Sequence, residues 1–219
     1  MSSIEVVRTV HDGERALVLR RRGAHLELVI GNVVLLSDAA LETERAFGAL
    51  AGAAPGPRPR ILVGGLGFGA TLVGALAALG DDAEVQVAER VAGVAEVARD
   101  HALAAQWTSD PRARVIVGDV AATIAARDDW SAILLDVDNG PEWASFRDNA
   151  KLYTPSAVAA IAARLRPGGI FAVWSGYPAD GFTRTLRGAG LTPEIVPLRE
   201  GPSGHERVRA RAYVGRKRV

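Results

Sequence analysis

Carboxylate and carboxamide side chains that follow apolar segments are the residues in this sequence most suited to chemistry. Asp136, Asp138 and Asn139 come directly after the apolar run of residues 132–135. Two carboxylates at such a position can hold a cation or take a proton from an amine. Turn formation is the competing explanation, because Asp, Asn and Gly all favour turns. The sequence favours a functional role for Asp136 and leaves both explanations open for Asp138.

Two further carboxylates follow apolar segments earlier in the chain. Glu89 ends the segment 84–88 and lies about twenty residues beyond a glycine-rich turn, a spacing at which a carboxylate can accept hydrogen bonds from ribose hydroxyls. Asp119 follows the segment 114–117. It is placed either to accept a hydrogen bond from an adenine amino group or to cap a helix that begins near Ala121.

The glycine-rich turn itself lies between an apolar run, residues 61–63, and an alanine-rich segment, residues 71–79. Its glycines are Gly64, Gly65, Gly67 and Gly69. Strand, glycine turn and helix form the context of a nucleotide-binding loop. Glycine lets the backbone approach a ligand closely, and the helix that follows directs its free N–H groups and positive dipole end toward it. A tight turn that only packs helix against strand is the alternative; with Glu89 and Asp119 downstream, we predict a nucleoside site.

The elements that must position these groups alternate in type after residue 60. Apolar runs predict strands at 61–63, 84–88, 114–117, 132–135 and 170–174, with helices at 71–79, 91–104, 121–127, 155–165 and 182–188. Two final strands, at 194–198 and 207–214, are expected to pair antiparallel. Alternating strands and helices indicate a parallel sheet covered on both faces. Ligands bind at the carboxyl ends of such strands, where the polar residues above are expected to meet.

The first fifty residues have a different pattern. Asp12-Gly13 and Gly31-Asn32 each separate two short β-type segments, which predicts two hairpins. Ser37 or Asp38 is expected to cap a helix over residues 42–50. Residues 51–59 are rich in Ala, Gly and Pro and are interpreted as a linker. We therefore predict an N-terminal unit of residues 1–52 and a nucleoside-binding domain of residues 60–219.

Composition narrows the classes of function. The 219 residues carry a net charge of +1 and include no cysteine, which argues against a nucleic-acid partner, disulfides and thiolate chemistry. Four histidines show no metal-ligand spacing, and no apolar run is long enough for a bilayer. A soluble cytoplasmic protein without a metal or membrane partner is expected. Arg207, Arg209 and Arg211 are interpreted as a solvated strand face, and residues 216–218 as a frayed tail.

Residues 60–176 resemble the spermidine synthase (polyamine aminopropyltransferase) family. Four segments match family motifs: the glycine loop 62–69, the strand end at Glu89, the pair Gly118-Asp119, and the segment 135–141. The resemblance implies the fold of class I S-adenosylmethionine methyltransferases, which is α/β and Rossmann-like. Its mostly parallel seven-stranded sheet has helices on both faces and follows a small N-terminal antiparallel β unit. It also implies a homodimer that pairs through residues 1–50.

The cofactors implied are S-adenosylmethionine or its decarboxylated form, with methylthioadenosine as a product. The implied cofactor-binding residues are Gly64, Gly65, Gly67, Phe68, Gly69, Glu89, Asp119, Val120 and Asp136, and the implied catalytic residues are Asp136, Asp138 and Asn139.

Two positions depart from the family pattern. Phe68 replaces the loop aspartate that grips the aminopropyl ammonium group, and Asn139 replaces the catalytic aspartate. Asparagine cannot carry the negative charge that helps to deprotonate an attacking amine. We therefore expect a spermidine-synthase-like transferase that acts on a small acceptor such as an amine, while performing ordinary polyamine synthesis poorly or not at all.

Two alternative functions remain open. One is a small-molecule methyltransferase on the same fold, and the other is a non-catalytic nucleoside-binding protein. Trp143, Tyr153, Trp174 and Tyr177 are candidate walls of an acceptor pocket, with ordinary packing as the alternative for each.

Overall fold

The computed structural model describes residues 3–137, 140–142 and 149–219, so Asp138, Asn139 and Trp143 lie outside the described residues. The strands are β1 (Ile4–Asp12), β2 (Arg15–Arg22), β3 (His25–Ile30), β4 (Val33–Ser37), β5 (Arg60–Gly64), β6 (Glu84–Glu89), β7 (Ala113–Val117), β8 (Trp130–Leu135), β9 (Leu165–Ser175), β10 (Leu191–Glu200) and β11 (Arg207–Lys217). The α-helices are α1 (Glu42–Ala49), α2 (Ala70–Ala78), α3 (Ala92–Asp100), α4 (Val120–Ala125), α5 (Pro155–Arg164) and α6 (Phe182–Gly188). Short 3₁₀ segments cover Leu50–Ala53, Ala102–Gln106 and Asn149–Tyr153.

The N-terminal strands form an antiparallel sheet in the order β1-β2-β3-β4. Gly13 and Gly31 sit in its hairpin turns with φ of 59° and 55°, a region that glycine enters without the strain imposed by a Cβ. Both predicted hairpins are therefore confirmed.

The larger sheet has the order β10-β11-β9-β8-β5-β6-β7. Neighbours from β7 to β9 pair in parallel, whereas β11 runs antiparallel to β9 and to β10. Every residue of β8 is buried, as expected for a central strand covered by helices on both faces. This is the α/β fold class that the sequence predicted.

The strand order reverses beside β5. From β5 the chain continues outward through β6 and β7, then returns to place β8 and β9 on the other side. Such a reversal opens a crevice at the carboxyl ends of the strands. The glycine turn after β5 and the carboxylates after β6 and β8 lie at this edge.

Helix α1 packs on α2 at unusually short range. A Cβ on Gly48 would lie 2.0 Å from the Thr71 carbonyl oxygen, and one on Gly74 would lie 2.1 Å from the Arg45 carbonyl oxygen. Phe47 and Ala51 belong to the same buried cluster as the central strands. The end of the predicted N-terminal unit, residues 1–52, therefore contributes to the core of the larger sheet.

Three local expectations were wrong. Helix α1 has Leu41 at its N-cap without a side-chain hydrogen bond, because the Asp38 carboxylate instead accepts from the Leu26 N–H and contacts His101. The helix predicted over 91–104 ends at Asp100 and is followed by a 3₁₀ segment. The predicted frayed tail is partly ordered, since Lys217 extends β11 and donates to the Leu165 carbonyl at 2.6 Å.

Within the described ranges, no helix is both long and apolar enough to cross a membrane.

Candidate functional site

A cavity of about 400 Å³ lies where the sheet order reverses, and its size is within the range of small-molecule sites. Its walls come from the N-terminal sheet, α1, the glycine loop, the first turn of α2, and the segments after β6, β7 and β8. The predicted site residues that line it are Gly65, Gly67, Phe68, Glu89, Asp119, Val120 and Asp136. Gly64 and Gly69 do not line it.

The glycine loop is shaped by positive φ angles and by contact with β8. Gly65 (φ 87°) lies where a Cβ would be 2.2 Å from the Asp136 carbonyl oxygen. Gly67 (φ 52°) faces the cavity, where a Cβ would be 3.6 Å from Leu36. Gly64 ends β5 and accepts a hydrogen bond from the Asp136 N–H. Gly69 caps α2 in the left-handed region, beside the Trp107 indole. These two glycines set the shape of the loop without lining the cavity.

Glu89 is buried and holds the glycine loop in place. Its Oε2 accepts from the Leu66 N–H at 3.0 Å and its Oε1 from the Val91 N–H at 2.8 Å. Burial raises the pKa of this carboxyl, while the two N–H donors act in the opposite direction. Each carboxylate oxygen can accept more than one hydrogen bond, so Glu89 retains acceptor capacity at the cavity wall.

Asp119 caps α4, as one of its two sequence interpretations predicted. Its Oδ1 accepts from the Ala121 N–H at 2.6 Å, and Asp119 also lines the cavity with Val120. A carboxylate has two oxygens, so capping leaves the second one available for another hydrogen bond.

Asp136 lies at the end of β8, against α2. Its Oδ2 accepts a hydrogen bond of 2.5 Å from the Thr71 hydroxyl. Desolvation, with a smaller contribution from the charge of Glu44, raises the pKa of Asp136 to about 7. A carboxyl group with such a value can exchange a proton near neutral pH.

Glu44 is a site residue that sequence reasoning did not identify. It projects from α1 into the same cavity as Asp136, and its Oε2 accepts from the Thr43 hydroxyl at 2.7 Å. Burial raises its pKa as well. The available signal was a helix with acidic residues near its start, which is also typical of a solvated helix surface.

Phe68 packs between the glycine loop and the N-terminal sheet. Its side chain is buried in a cluster with Leu17, Leu28 and Val94, and its ring centroid lies 4.8 Å from that of His101. The loop position that carries an aspartate in the resembled family is therefore an apolar wall of this cavity.

Among the described aromatic candidates, Trp174 lines the cavity, whereas Tyr153 is buried in the core and Tyr177 is half exposed. The Trp174 Nε1 has no hydrogen-bond partner in the described part of the chain. The catalytic candidates Asp138 and Asn139 lie outside the described residues. The described ranges also contain no cluster of three His, Cys, Asp or Glu side chains suited to a metal ion.

Comparison with known proteins gives matches at the level of structure. No protein-family model matches the sequence, and no curated protein matches it significantly. A spermidine synthase solved in complex with the transition-state analogue AdoDATO superposes with a TM-score of 0.72 at 17% identity, covering 97% of this chain and 72% of that one. The spermidine synthase of Thermotoga maritima superposes with a TM-score of 0.71 at 15% identity, covering 97% and 72%.

A probable spermidine synthase of Corynebacterium glutamicum has a TM-score of 0.63 at 14% identity, with coverage of 97% and 80%. These similarities show that the chain has the fold predicted from its motifs.

Proposed function

We propose that this protein is a transferase that binds S-adenosylmethionine or its decarboxylated form and transfers an alkyl group to a small amine. The observation that carries the proposal is one cavity whose lining combines a glycine loop and Glu89 with two carboxylates, Glu44 and Asp136. The loop and Glu89 suit a nucleoside, and the two carboxylates suit a cationic amine. The likeness in fold to spermidine synthases supports this assignment.

Nucleoside binding is supported by the absence of a side chain where the ligand must approach the glycine loop. Gly67 lines the cavity without a Cβ, so a ligand can approach the loop backbone closely there, whereas the N–H groups of Gly65 and Leu66 already donate to the Ala88 carbonyl and to Glu89. Glu89 can accept further hydrogen bonds from ribose hydroxyls. Asp119 follows the neighbouring strand β7, where it can accept a hydrogen bond from an adenine amino group. Val120 adds an apolar contact beside Asp119. Within this proposal, Glu89 both shapes the loop and touches the ligand.

The amine end contains Asp136 and Glu44. A bound sulfonium supplies an electrophilic carbon, so these residues need only orient the acceptor nitrogen and accept its proton. Asp136, with a pKa near 7, is suited to that exchange. The roles expected of Asp138 and Asn139 remain predictions from the sequence.

Methyl transfer is a second candidate reaction, which Phe68 favours. An aminopropyl group ends in an ammonium, and the buried Phe68 ring offers no charge to hold it. S-adenosylmethionine carries a methyl group that requires no such partner. Spermidine formation from putrescine is therefore expected to be slow or absent.

Calorimetric titration tests the proposed ligands. We expect binding of S-adenosylmethionine, its decarboxylated form or methylthioadenosine, and little affinity for NAD. Glu89→Gln is expected to weaken binding by about 1–3 kcal/mol, because an amide cannot satisfy both backbone N–H groups and a hydroxyl. Glu84→Gln is the matched control, since Glu84 lies at the opposite end of the same strand and pairs with Arg127. The proposal would be contradicted if the protein bound none of the three nucleosides, or if it bound NAD tightly.

A product assay distinguishes the two reactions. Putrescine, spermidine and cadaverine are each incubated with both forms of the cofactor, and products are identified by mass spectrometry. Methylated products would support the second candidate. Spermidine formation at about 1 s⁻¹ or faster, an ordinary enzyme rate, would show that Phe68 and Asn139 do not impair aminopropyl transfer.

A further inference from the structure

An apolar wall of the cavity is formed by side chains from four separate segments of the chain. Leu36 belongs to β4, Leu41 precedes α1, Phe68 lies in the glycine loop and Trp174 belongs to β9, and all four line the cavity. Two of them have neighbours on the same element or sheet edge that carry the cavity's carboxylates. The apolar wall and those carboxylates can therefore contact one ligand together.

Trp174 is the strand neighbour of Asp136. β8 and β9 pair in parallel with Leu135 opposite Val173, so Asp136 and Trp174, the next residue of each, follow side by side about 4.8 Å apart. Trp174 packs against the buried cluster that includes residues of α2, and Asp136 accepts a hydrogen bond from Thr71 of α2. Both side chains thus lie on the face of the sheet that α2 covers.

Leu41 is the neighbour of Glu44 along α1. It is the N-cap of this helix, and its carbonyl accepts from the Arg45 N–H at 3.0 Å. Side chains three positions apart lie on one face of a helix, and Leu41 and Glu44 both line the cavity. Thr71 Oγ1 lies 3.3 Å from the Glu44 main-chain oxygen and 2.5 Å from Asp136 Oδ2, so the first turn of α1 lies close to the end of β8.

The apolar wall extends from Leu41 to the glycine loop. Leu36 and Leu41 pack against the buried cluster that contains Phe68, and Leu36 Cδ2 would lie 3.6 Å from a Cβ on Gly67. Leu36 and Leu41 are only partly buried, so a ligand can cover more of their surface. Removal of that surface from water favours an apolar ligand group over a polar one.

The remaining charges on the cavity lining do not suit a second ammonium group near the apolar wall. The other carboxylates among the described lining residues are Glu89 and Asp119, which follow β6 and β7, on the opposite side of β5 from β8 and β9. The other charged lining residues in the described part of the chain, Arg90 and Lys151, are cations. An ammonium group that leaves water without an anionic partner is strongly disfavoured.

We propose that the acceptor is a monoamine with an apolar alkyl or aryl body, whose ammonium group binds Glu44 and Asp136 and whose body packs on the apolar wall. This acceptor class rests on the proposed function and narrows it. A diamine such as putrescine or cadaverine carries a second ammonium group, which would leave water against apolar side chains. The protein is therefore expected to prefer an alkylamine over the diamine of the same chain length.

Calorimetric titration of two matched ligands tests the proposal. Pentylamine and cadaverine share a five-carbon chain and differ only at one end, where pentylamine has a methyl group and cadaverine an ammonium group. Each is titrated into the protein at pH 8, where Asp136, with a pKa of about 7, is mostly ionised, with and without saturating methylthioadenosine. Wherever binding is detected, pentylamine is expected to bind at least about 10-fold more tightly.

Equal or tighter binding of cadaverine in either condition, or binding of neither amine in both, would overturn the proposal. Butylamine and hexylamine extend the comparison. Affinity is expected to rise about 2–4-fold with each added methylene, because each one buries further apolar surface. An affinity that does not depend on chain length would also overturn the proposal.

Leu41→Asn tests the apolar wall directly. The variant is expected to fold, because asparagine is among the most favourable N-cap residues. Its affinity for pentylamine should fall about 5–10-fold through lost apolar contact, and its preference over cadaverine should narrow. Leu41→Met keeps an apolar side chain of similar size and should retain the preference of the parent protein.

Val34→Asn is the matched control on β4, since Val34 is 41% exposed and does not line the cavity. It should bind both amines as the parent does. An unchanged amine preference in Leu41→Asn would overturn the role of the apolar wall. Failure of the parent protein to bind any of the nucleosides would instead contradict the proposed function, and the comparison of the two amines without methylthioadenosine would still stand.

Discussion

At the scale of single residues, carboxylates at similar strand-end positions have different surroundings. Glu89 accepts from two backbone N–H groups, which stabilise its ionised form. The one hydrogen bond described for the Asp136 carboxylate comes from a hydroxyl, and Glu44 on α1 lines the same cavity and raises the pKa of Asp136 by its charge. Glu89 is thus suited to a fixed binding role and Asp136 to proton exchange.

The raised pKa of Asp136 predicts a pH-dependent stability. The folded protein holds this proton more tightly than the unfolded chain, since the pKa rises from 3.8 to about 7 on folding. The free energy of unfolding should therefore fall as pH rises from about 4 to about 7 through ionisation of Asp136. Asp136→Asn removes that cost, so at pH 8 it should be more stable than the parent protein by about 2–4 kcal/mol.

The Asp136→Asn advantage should vanish near pH 4, where the carboxyl is protonated in both states. Urea titrations at the two pH values measure the difference. Asp119→Asn is the control, because asparagine caps helices about as well as aspartate. An Asp136→Asn variant that is less stable than the parent at pH 8 would refute the prediction.

Phe68 supplies a second prediction at this scale. Phe68 is 3% exposed and belongs to one buried cluster with residues of the N-terminal sheet and of α3. Phe68→Ala should cost about 2–4 kcal/mol of stability by leaving a cavity. Phe68→Asp should cost more, because it places an unpaired charge there.

Thermal unfolding of both variants provides the measurement, with Val117→Ala on an exposed strand position as the control. If Phe68→Asp were as stable as the parent and bound decarboxylated S-adenosylmethionine more tightly, the loop would tolerate the family's aspartate, contrary to this prediction.

At the scale of elements, the contact between α1 and α2 determines the acidic side of the cavity. Gly48 and Gly74 allow the two backbones to touch, and α1 carries Glu44 to the end of β8. A side chain at either glycine would push the helices apart and move Glu44 away from Asp136.

Gly48→Ala is therefore expected to lower stability by about 1–3 kcal/mol through overpacking. Gly188→Ala is the matched control within another helix, where a Cβ would meet no atom within 4 Å, and it should be neutral or stabilising by up to about 1 kcal/mol. Chemical denaturation measures the free energy of unfolding of both variants. Equal effects would show that the α1–α2 contact accommodates a side chain at residue 48 without loss of stability.

At the scale of the whole molecule, the N-terminal sheet contributes to the wall of the cavity. Leu17, Leu28 and Leu36 line it opposite the glycine loop. The division at residues 52 and 60 remains a prediction. The same sheet exposes apolar side chains on its edge strands, including Ile4 (56%), Val6 (64%) and Val33 (58%).

Exposed apolar positions of this kind support the prediction of a homodimer through residues 1–50. Light scattering at micromolar concentration should give twice the mass of the 219-residue chain. Val6→Lys should shift the protein toward the monomer, because a buried lysine would lack a partner. Val208→Lys on β11, also exposed, is the control and should leave the dimer intact. A monomeric parent protein would contradict the prediction.

The sequence alone determined the order and type of nearly all elements, because the relevant chemistry is local. Glycine at positive φ fixes the turns at Gly13 and Gly31, and Thr154 caps α5 through the Ala157 N–H. The glycine loop, Glu89, Asp119 and Asp136 were identified as candidates because strand ends can be recognised from apolar runs, and parallel strand ends share one edge of a sheet.

Tertiary structure decided which side chains meet. No sequence pattern around Glu44 indicates that it shares a cavity with Asp136, because their proximity depends on how closely α1 can approach α2. Phe68 is apolar in the sequence, but only its packing with the N-terminal sheet shows that its side chain is buried in a core. Lys217 is charged and near the chain end, yet it is ordered because β11 brings it to the Leu165 carbonyl. Local propensity determines which segments form helices and strands, whereas long-range packing determines what surrounds each side chain. The surroundings of Asp136 give this carboxylate its basicity.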